Sequence, residues 1–311
     1  MIRHLLEIDD LGADELLAVL DLASASDPPQ VLAGRGVALL FEKPSLRTRH
    51  STEMAVVQLG GHPVSVRADE ISLGLRETVE DVARTLAGYH AAIGARVFEH
   101  ATLGRMAAAG GVPVVNLLSD DSHPLQAIAD LLTIRQEFGR IEGLTVAWVG
   151  DFSNVARSLA LAAVASGMRM RFACPPGYGP TDADVDRMRA VSGADVEVTS
   201  YADEAVKGAD VVSTDAWYAM GQEAEAEERR WAGRQCSRMA RSPARSSNAP
   251  STPKPSKARR RSSASASWPI AYQASVETTS APFTASSAYD VISTSAPGTA
   301  RMRSRSASVG P

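Results

Sequence analysis

The segment Phe41-Glu42-Lys43-Pro44-Ser45-Leu46-Arg47-Thr48-Arg49 gathers two hydroxyls and two guanidiniums around one turn, where an apolar strand hands over to a helix. Free N–H groups at a helix start bind anions. Ser45 and Thr48 add hydroxyl donors, and Arg47 can grip a phosphate with two parallel hydrogen bonds. A capped helix with solvated arginines is the plainer alternative; the doubled arginines and hydroxyls favour phosphate. His123-Pro124-Leu125-Gln126 repeats this placement. Pro124 suits the first helical turn, so His123 and Gln126 face one side of that helix. Arg96 ends another strand and aims a further donor at the same edge. Arg96, His123 and Thr48 together could polarise a carbonyl oxygen and stabilise an oxyanion. Two more loops follow strands: Gly150-Asp151-Phe152-Ser153-Asn154, which is not a glycine-rich dinucleotide fingerprint, and Asp215-Ala216-Trp217-Tyr218-Ala219-Met220-Gly221. The Asp215 carboxylate suits an ammonium group; two ordinary polar turns fit the same spacing.

The elements that must position these groups alternate. Short apolar runs at 37–41, 63–66, 91–96 and 112–117 read as strands, with helices at 47–59, 79–89, 102–109 and 123–138. A second series has strands at 144–150, 168–174, 196–198 and 210–213, with helices at 155–166, 181–191 and 202–206. Strict alternation predicts an α/β chain of two doubly wound parallel-sheet domains joined by the long helix near 123–138. Ligands of such sheets bind at the carboxyl ends of the strands.

The 311 residues, 44% hydrophobic and 22% charged, allow two globular domains. No apolar run reaches the roughly 18 residues that span a membrane, and no secretory leader is evident. Two cysteines, Cys174 and Cys236, exclude a disulfide scaffold and a multi-cysteine metal site, so a reducing cytoplasm is expected. The net charge of −4 hides two unlike parts: residues 231–311 hold 12 Lys/Arg against 2 Asp/Glu, and residues 1–230 hold 20 against 34. The last 81 residues are rich in Ser, Ala, Pro and Arg and carry no core-building periodicity.

Taken in order, Phe-Glu-Lys-x-Ser-x-Arg-Thr-Arg, Gly60-Gly61-His62, Arg96, His-Pro-x-Gln, Gly-Asp-x-x-Asn and Asp-x-Trp-x-x-Met-Gly-Gln-Glu resemble the aspartate/ornithine carbamoyltransferase family over residues 1 to about 230. The phosphate and His-Pro-x-Gln motifs are common to both branches. Asp215 to Glu223, together with Glu53, points to the ornithine branch. The resemblance implies a carbamoyl-phosphate-binding domain at 1–138 and an ornithine-binding domain at 139–230. It implies that Ser45, Leu46 through its backbone, Arg47, Thr48, Arg96, His123 and Gln126 hold carbamoyl phosphate, with Ser72 where a neighbouring subunit reaches in. Asn154, Asp215, Ala219 and the Met220 backbone would hold L-ornithine. The neutral δ-amine would attack the carbamoyl carbon, giving L-citrulline and phosphate, with Arg96, His123 and Thr48 as the catalytic donors. No metal or organic cofactor, no membrane and no specific nucleic acid are implied. The family is commonly a homotrimer. Ala219 stands where the family usually has Ser, Tyr218 is bulkier than usual, and Ser72 stands where a Gln is frequent. Acceptors such as N-acylated ornithine or putrescine are therefore alternatives.

The family's His-Cys-Leu-Pro-x-His-Arg loop and final helix do not occur in residues 231–311. That segment has another origin written in it. Reverse-complementing the first two bases of each codon turns Ala into Ala, Asp/Glu into Ser, Val into Thr and Gly into Pro. Pairing residue n with residue 490 − n then makes residues 260–311 the antisense of 179–230. Agreement holds at 49 of 52 positions; the misfits are Arg305 with Val185, Gly298 with Ser192 and Ile292 with Val198. Read the same way, Trp231-Ala232-Gly233-Arg234-Gln235-Cys236 and Arg230 allow His-Cys-Leu-Pro-Ala-His-Arg. An inversion of the template near codon 230 accounts for this, so residues 231–311 are expected to be a non-native, disordered tail. A basic arm for nucleic acid is the competing reading, and the antisense origin already explains its Ser, Arg and Pro excess. The expected result is a carbamoyltransferase by descent that is weak or inactive, with a non-catalytic carbamoyl-phosphate-binding remnant as the alternative.

Overall fold

The computed structural model describes residues 2–74, 76–191, 193–215 and 290–293. Its first sheet is built from β1 (Gly36–Phe41), β2 (His62–Arg67), β3 (Ala92–Arg96) and β4 (Val114–Leu118) in the order β2-β1-β3-β4, all parallel. β1 is buried along its whole length and reads as an unbroken apolar run, as a strand covered on both faces must. The covering helices are α2 (Leu46–Gln58), α3 (Ala68–Ile71), α4 (Val79–Ala87) and α5 (His100–Gly110). Thr78 caps α4 by accepting from the Asp81 N–H at 3.1 Å.

The second sheet is built from β5 (Thr145–Val149), β6 (Arg169–Ala173), β7 (Asp195–Thr199) and β8 (Val211–Thr214). They run parallel in the order β7-β6-β5-β8. α7 (Asn154–Ala165), α8 (Asp182–Arg189) and α9 (Ala202–Val206) accompany it. The long α6 (Pro124–Phe138) links the two sheets, opened by Pro124 and closed by Gly139 with φ near 72°.

The parallel α/β organisation and the linking helix agree with the alternation of the sequence. Two features depart from it. First, a 3-10 turn at Ile8–Asp10 and α1 (Ala13–Ser24) precede the first strand. Ile8, Leu16 and Leu20 bury in one cluster with Ile128 and Leu131 of α6 and Leu159 of α7. The opening residues, assigned by sequence to the first domain, therefore pack against the linking helix and the second domain's core. Leu5 meanwhile pairs with Val115 of β4, so the N-terminal segment ties both halves. Second, the second sheet is not wholly parallel. β9 (Asp290–Ser293) joins β8 antiparallel, with Val212 opposite Ile292. This strand lies within the expected tail, at four residues. An open strand edge is a row of unpaired backbone groups and accepts any segment able to extend. The remainder of 231–311 lies outside the described residues.

Salt bridges join the halves. Arg187 of α8 pairs with Glu7 and with Asp9 at 2.7 Å, and Arg157 of α7 with Asp121 at 2.8 Å.

Candidate active site

The first sheet's order reverses between β1 and β3, and there a doubly wound sheet opens a crevice at its carboxyl edge. Phe41, the last residue of β1, lies in register with Arg96, the last of β3, and Arg96 in turn with Leu118 of β4. The Glu42 N–H donates to the Arg96 carbonyl at 2.9 Å, which fixes the phosphate loop against that arginine.

Ser45 is the N-cap of α2, and its side chain makes no capping bond. The Ser45 hydroxyl and the first-turn N–H groups of Leu46 and Arg47 therefore lack intrahelical partners. Arg47 is exposed, and Thr48 is buried. The Arg96 Nη1 donates to Thr48 Oγ1 at 3.3 Å. His123, the N-cap of α6, is 1% exposed. Burial first, and the nearby Arg96 charge second, push its imidazole down to about 3. It is thus neutral near pH 7 and can donate a hydrogen bond without carrying charge. Gln126 is buried one turn along α6; its Nε2 donates to Asp130 Oδ1 at 2.9 Å, and its Oε1 accepts no hydrogen bond among the described residues. Burial pushes the Asp130 carboxyl up to about 7, opposed by the Gln126 bond. The structure therefore gathers Ser45, Leu46, Arg47, Thr48, Arg96, His123 and Gln126 at three adjoining strand ends.

Ser72 stands apart on the loop after α3, with no hydrogen bond to that group among the described residues. Its φ of 49° is in the left-handed region, which non-glycine residues seldom adopt.

The second sheet reverses between β5 and β8, and the loops after these strands carry Asn154 and Asp215. Gly150 leaves β5 with φ near 153°, and a Cβ there would stand 3.4 Å from Trp148 Nε1. Asn154 opens α7; its Nδ2 donates to the Ser119 carbonyl at 2.6 Å, across to the loop after β4. Asp215 is half-buried at the end of β8. Ala219 and Met220 lie outside the described residues. Among the described residues, no His/Cys/Asp/Glu group could hold a metal ion, and no helix is long and apolar enough to cross a membrane.

Sequence reasoning passed over the groups that hold this edge still. Asn116 of β4, fully buried, donates from Nδ2 to the Leu6 carbonyl at 2.8 Å and to the Ser122 carbonyl at 3.2 Å. Ser158 of α7 accepts from the His123 N–H at 2.8 Å. A signal existed: one amide in an apolar strand and one hydroxyl in an apolar helix need a buried partner.

His123 and Asp130 oppose each other in acid. Unfolded histidine takes its proton near 6.5, whereas folded His123 refuses it until about 3. Its contribution to stability is whole above 6.5 and is lost as pH falls. Unfolded aspartate ionises near 3.8, whereas folded Asp130 keeps its proton until about 7. Its contribution is whole below 3.8 and is lost as pH rises. Between about pH 4 and 6.5 the two slopes offset each other. Urea unfolding across that window should show His123→Asn gaining stability on acidification relative to the unaltered chain, and Asp130→Asn losing it. Both variants sloping the same way would contradict these assignments.

Known proteins agree with this layout. Residues 3–136 match the family described as aspartate/ornithine carbamoyltransferase, carbamoyl-P binding domain. Residues 142–237 match its Asp/Orn binding domain. The chain is 47% identical over 238 residues to an ornithine carbamoyltransferase of Parafrankia sp. (strain EAN1pec), covering 73% of this chain and 75% of the relative. The solved ornithine carbamoyltransferase from Pyrococcus furiosus superposes with a TM-score of 0.70 at 42% identity, covering 75% of this chain and 77% of that one. The Thermus thermophilus structure gives 0.68 at 40% identity, covering 78% and 82%. With both halves matched in order and the strand-end residues gathered where the first sheet reverses, the chain belongs to the aspartate/ornithine carbamoyltransferase family.

Proposed function

We propose that this chain is built to transfer the carbamoyl group of carbamoyl phosphate to the δ-amine of L-ornithine, giving L-citrulline and phosphate. The observation that carries the reading is the convergence of Thr48, Arg96, His123 and Gln126 with the open first turn of α2. Phosphate takes the first-turn N–H groups of α2, the Ser45 hydroxyl and Arg47. The carbamoyl oxygen takes Thr48, Arg96 and neutral His123, and its NH2 takes Gln126 Oε1. The lone pair of the δ-amine attacks the carbamoyl carbon. Negative charge develops on the carbonyl oxygen against those donors. The carbon–oxygen bond to phosphate then breaks, phosphate leaves toward Arg47, and its departing oxygen takes the proton that the amine sheds. Asn154, Asp215, Ala219 and Met220 take the amino-acid end of ornithine. No cofactor enters the reaction.

On this reading residues 1–138 are the carbamoyl phosphate domain and 139–230 the ornithine domain. Leu46, Met54, Val57 and Val64 place exposed apolar side chains on α2 and β2. Such a surface is suited to a further copy of the chain. A homotrimer acting in the cytoplasm, in arginine biosynthesis or arginine catabolism, is the proposed setting, with Ser72 reaching the neighbouring copy's site.

A second reading is a chain that binds carbamoyl phosphate without turning it over. The 49 antisense agreements in 260–311 favour it. A colorimetric citrulline assay with carbamoyl phosphate and ornithine, N-acetylornithine or putrescine separates the readings. Product with ornithine alone supports the first, carbamoyl phosphate binding without product supports the second, and neither binding nor product refutes both.

A further inference from the structure

Gln126 and Asp130 lie one helical turn apart on α6, and both are buried. The 2.9 Å bond from Gln126 Nε2 to Asp130 Oδ1 decides which way round the glutamine amide sits. Above about pH 7, where the Asp130 carboxyl has given up its proton, it only accepts hydrogen bonds and so holds the NH2 end. The opposite end, Oε1, is buried and accepts no hydrogen bond among the described residues. Buried polar atoms are nearly always bonded, so an orphaned acceptor marks the place of an absent donor. Gln126 follows His123 by three residues, at the strand-end cluster. Of the groups on carbamoyl phosphate, the acyl oxygen and the dianionic phosphate accept, and the NH2 alone donates.

We infer that Asp130 is a positioning residue for specificity: it fixes the polarity of the Gln126 amide, so that the site selects a carbamoyl phosphate over an acyl phosphate that lacks an N–H. The inference rests on the carbamoyl phosphate reading above. A second feature sets Asp130 apart from a residue kept for packing. A buried carboxyl carries a desolvation cost that an apolar pair in place of it and its partner would not. Its retention in the middle of a helix whose neighbours Ala127, Ile128, Leu131 and Leu132 are all apolar calls for a task that an apolar residue cannot do.

The test titrates the full chain by calorimetry at about pH 8.5, where Asp130 is ionised, with carbamoyl phosphate, acetyl phosphate and inorganic phosphate. The unaltered chain should bind carbamoyl phosphate about tenfold or more tightly than acetyl phosphate, because a site built around a hydrogen bond rejects the analogue lacking it. Asp130→Leu frees the amide to turn. Carbamoyl phosphate affinity should fall about tenfold, with inorganic phosphate and acetyl phosphate within about twofold of their starting values. Asp130→Asn is nearly isosteric and folds even where leucine does not; it offers either end of its own amide to Gln126. The preference should then fall about threefold, again with inorganic phosphate unchanged. A loss spread evenly over all three ligands is the mark of a structural role and overturns the inference. So does an unaltered preference in Asp130→Leu, or in Asp130→Asn if the leucine variant does not fold. Gln126→Leu separates the two levels. If the unaltered chain shows no preference for carbamoyl phosphate, the underlying reading fails. If it does, and Gln126→Leu abolishes the preference while the Asp130 variants keep it, only the role of Asp130 fails.

Discussion

Arg96→Met should weaken carbamoyl phosphate binding by about 10- to 100-fold, the range expected when a charge-assisted hydrogen bond is lost. Any carbamoyl transfer should fall by a further factor of about 10² to 10³, because a donor aimed at the developing oxyanion is lost with it. The expectation follows from position. Arg96 ends β3, in register with the last residue of β1, and its guanidinium reaches Thr48 on α2 while its charge acts on His123. One side chain therefore bonds to α2 and acts by its charge on the start of α6. Methionine keeps the length and the apolar stem and removes the fork of donors. Arg96 is half-buried, so the fold itself should lose little; an unchanged thermal midpoint is the control. With Arg96 gone, the charge that helps to depress the His123 imidazole goes as well, and His123 should take its proton at a higher pH than before. Affinity within twofold of the unaltered chain would remove Arg96 from the site.

The second large effect concerns residues 231–311. The resemblance places a His-Cys-Leu-Pro-x-His-Arg loop beside Asp215 and the reacting amine, and this stretch of the chain spells that loop only on the opposite strand of its codons. Citrulline formation should therefore run at least about 10³-fold below that of the Parafrankia relative assayed alongside, the scale of loss when part of a catalytic unit is missing. A chimera carrying residues 1–230 followed by the corresponding C-terminal part of that relative should recover about 10²-fold or more. Carbamoyl phosphate affinity should be the same in both proteins within a few-fold, because the residues assigned to it all precede residue 127. A full family rate from the unaltered chain would overturn the expectation that it is weak or inactive. Long-read sequencing of unamplified source DNA across codons 170–311 gives an independent check. Inversion in the genome means that the organism makes this chain, and read-through into the missing loop means that it makes an ordinary one.

Much of the fold was legible because parallel strands buried on both faces leave unbroken apolar runs, and the helices between them start and stop on ordinary signals. Val37 to Phe41 and Leu144 to Gly150 are such runs, and Pro124 and Gly139 bracket α6. The α1 segment was missed because its partner is distant in sequence: Leu16 and Leu20 gain meaning only against α6 and α7. Period alone did not reveal the antiparallel β9, since a strand edge selects on backbone availability and the tail carries no amphipathic pattern. Within the site, the loop residues were legible because hydroxyls and arginines at a strand-to-helix turn have few other uses. The supporting groups were not. Asn116, Ser158 and Asp130 look like single polar interruptions in apolar elements, and only the folded chain shows that each one holds a strand-end residue or its backbone.

The most direct test of the account is an equilibrium titration of the purified full chain with carbamoyl phosphate, with inorganic phosphate as competitor. The account predicts saturable binding at one site per chain, displaced by phosphate and weakened by Arg47→Ala and by Arg96→Met. A folded chain that binds neither ligand, or binds both equally well in the two arginine variants, would contradict it.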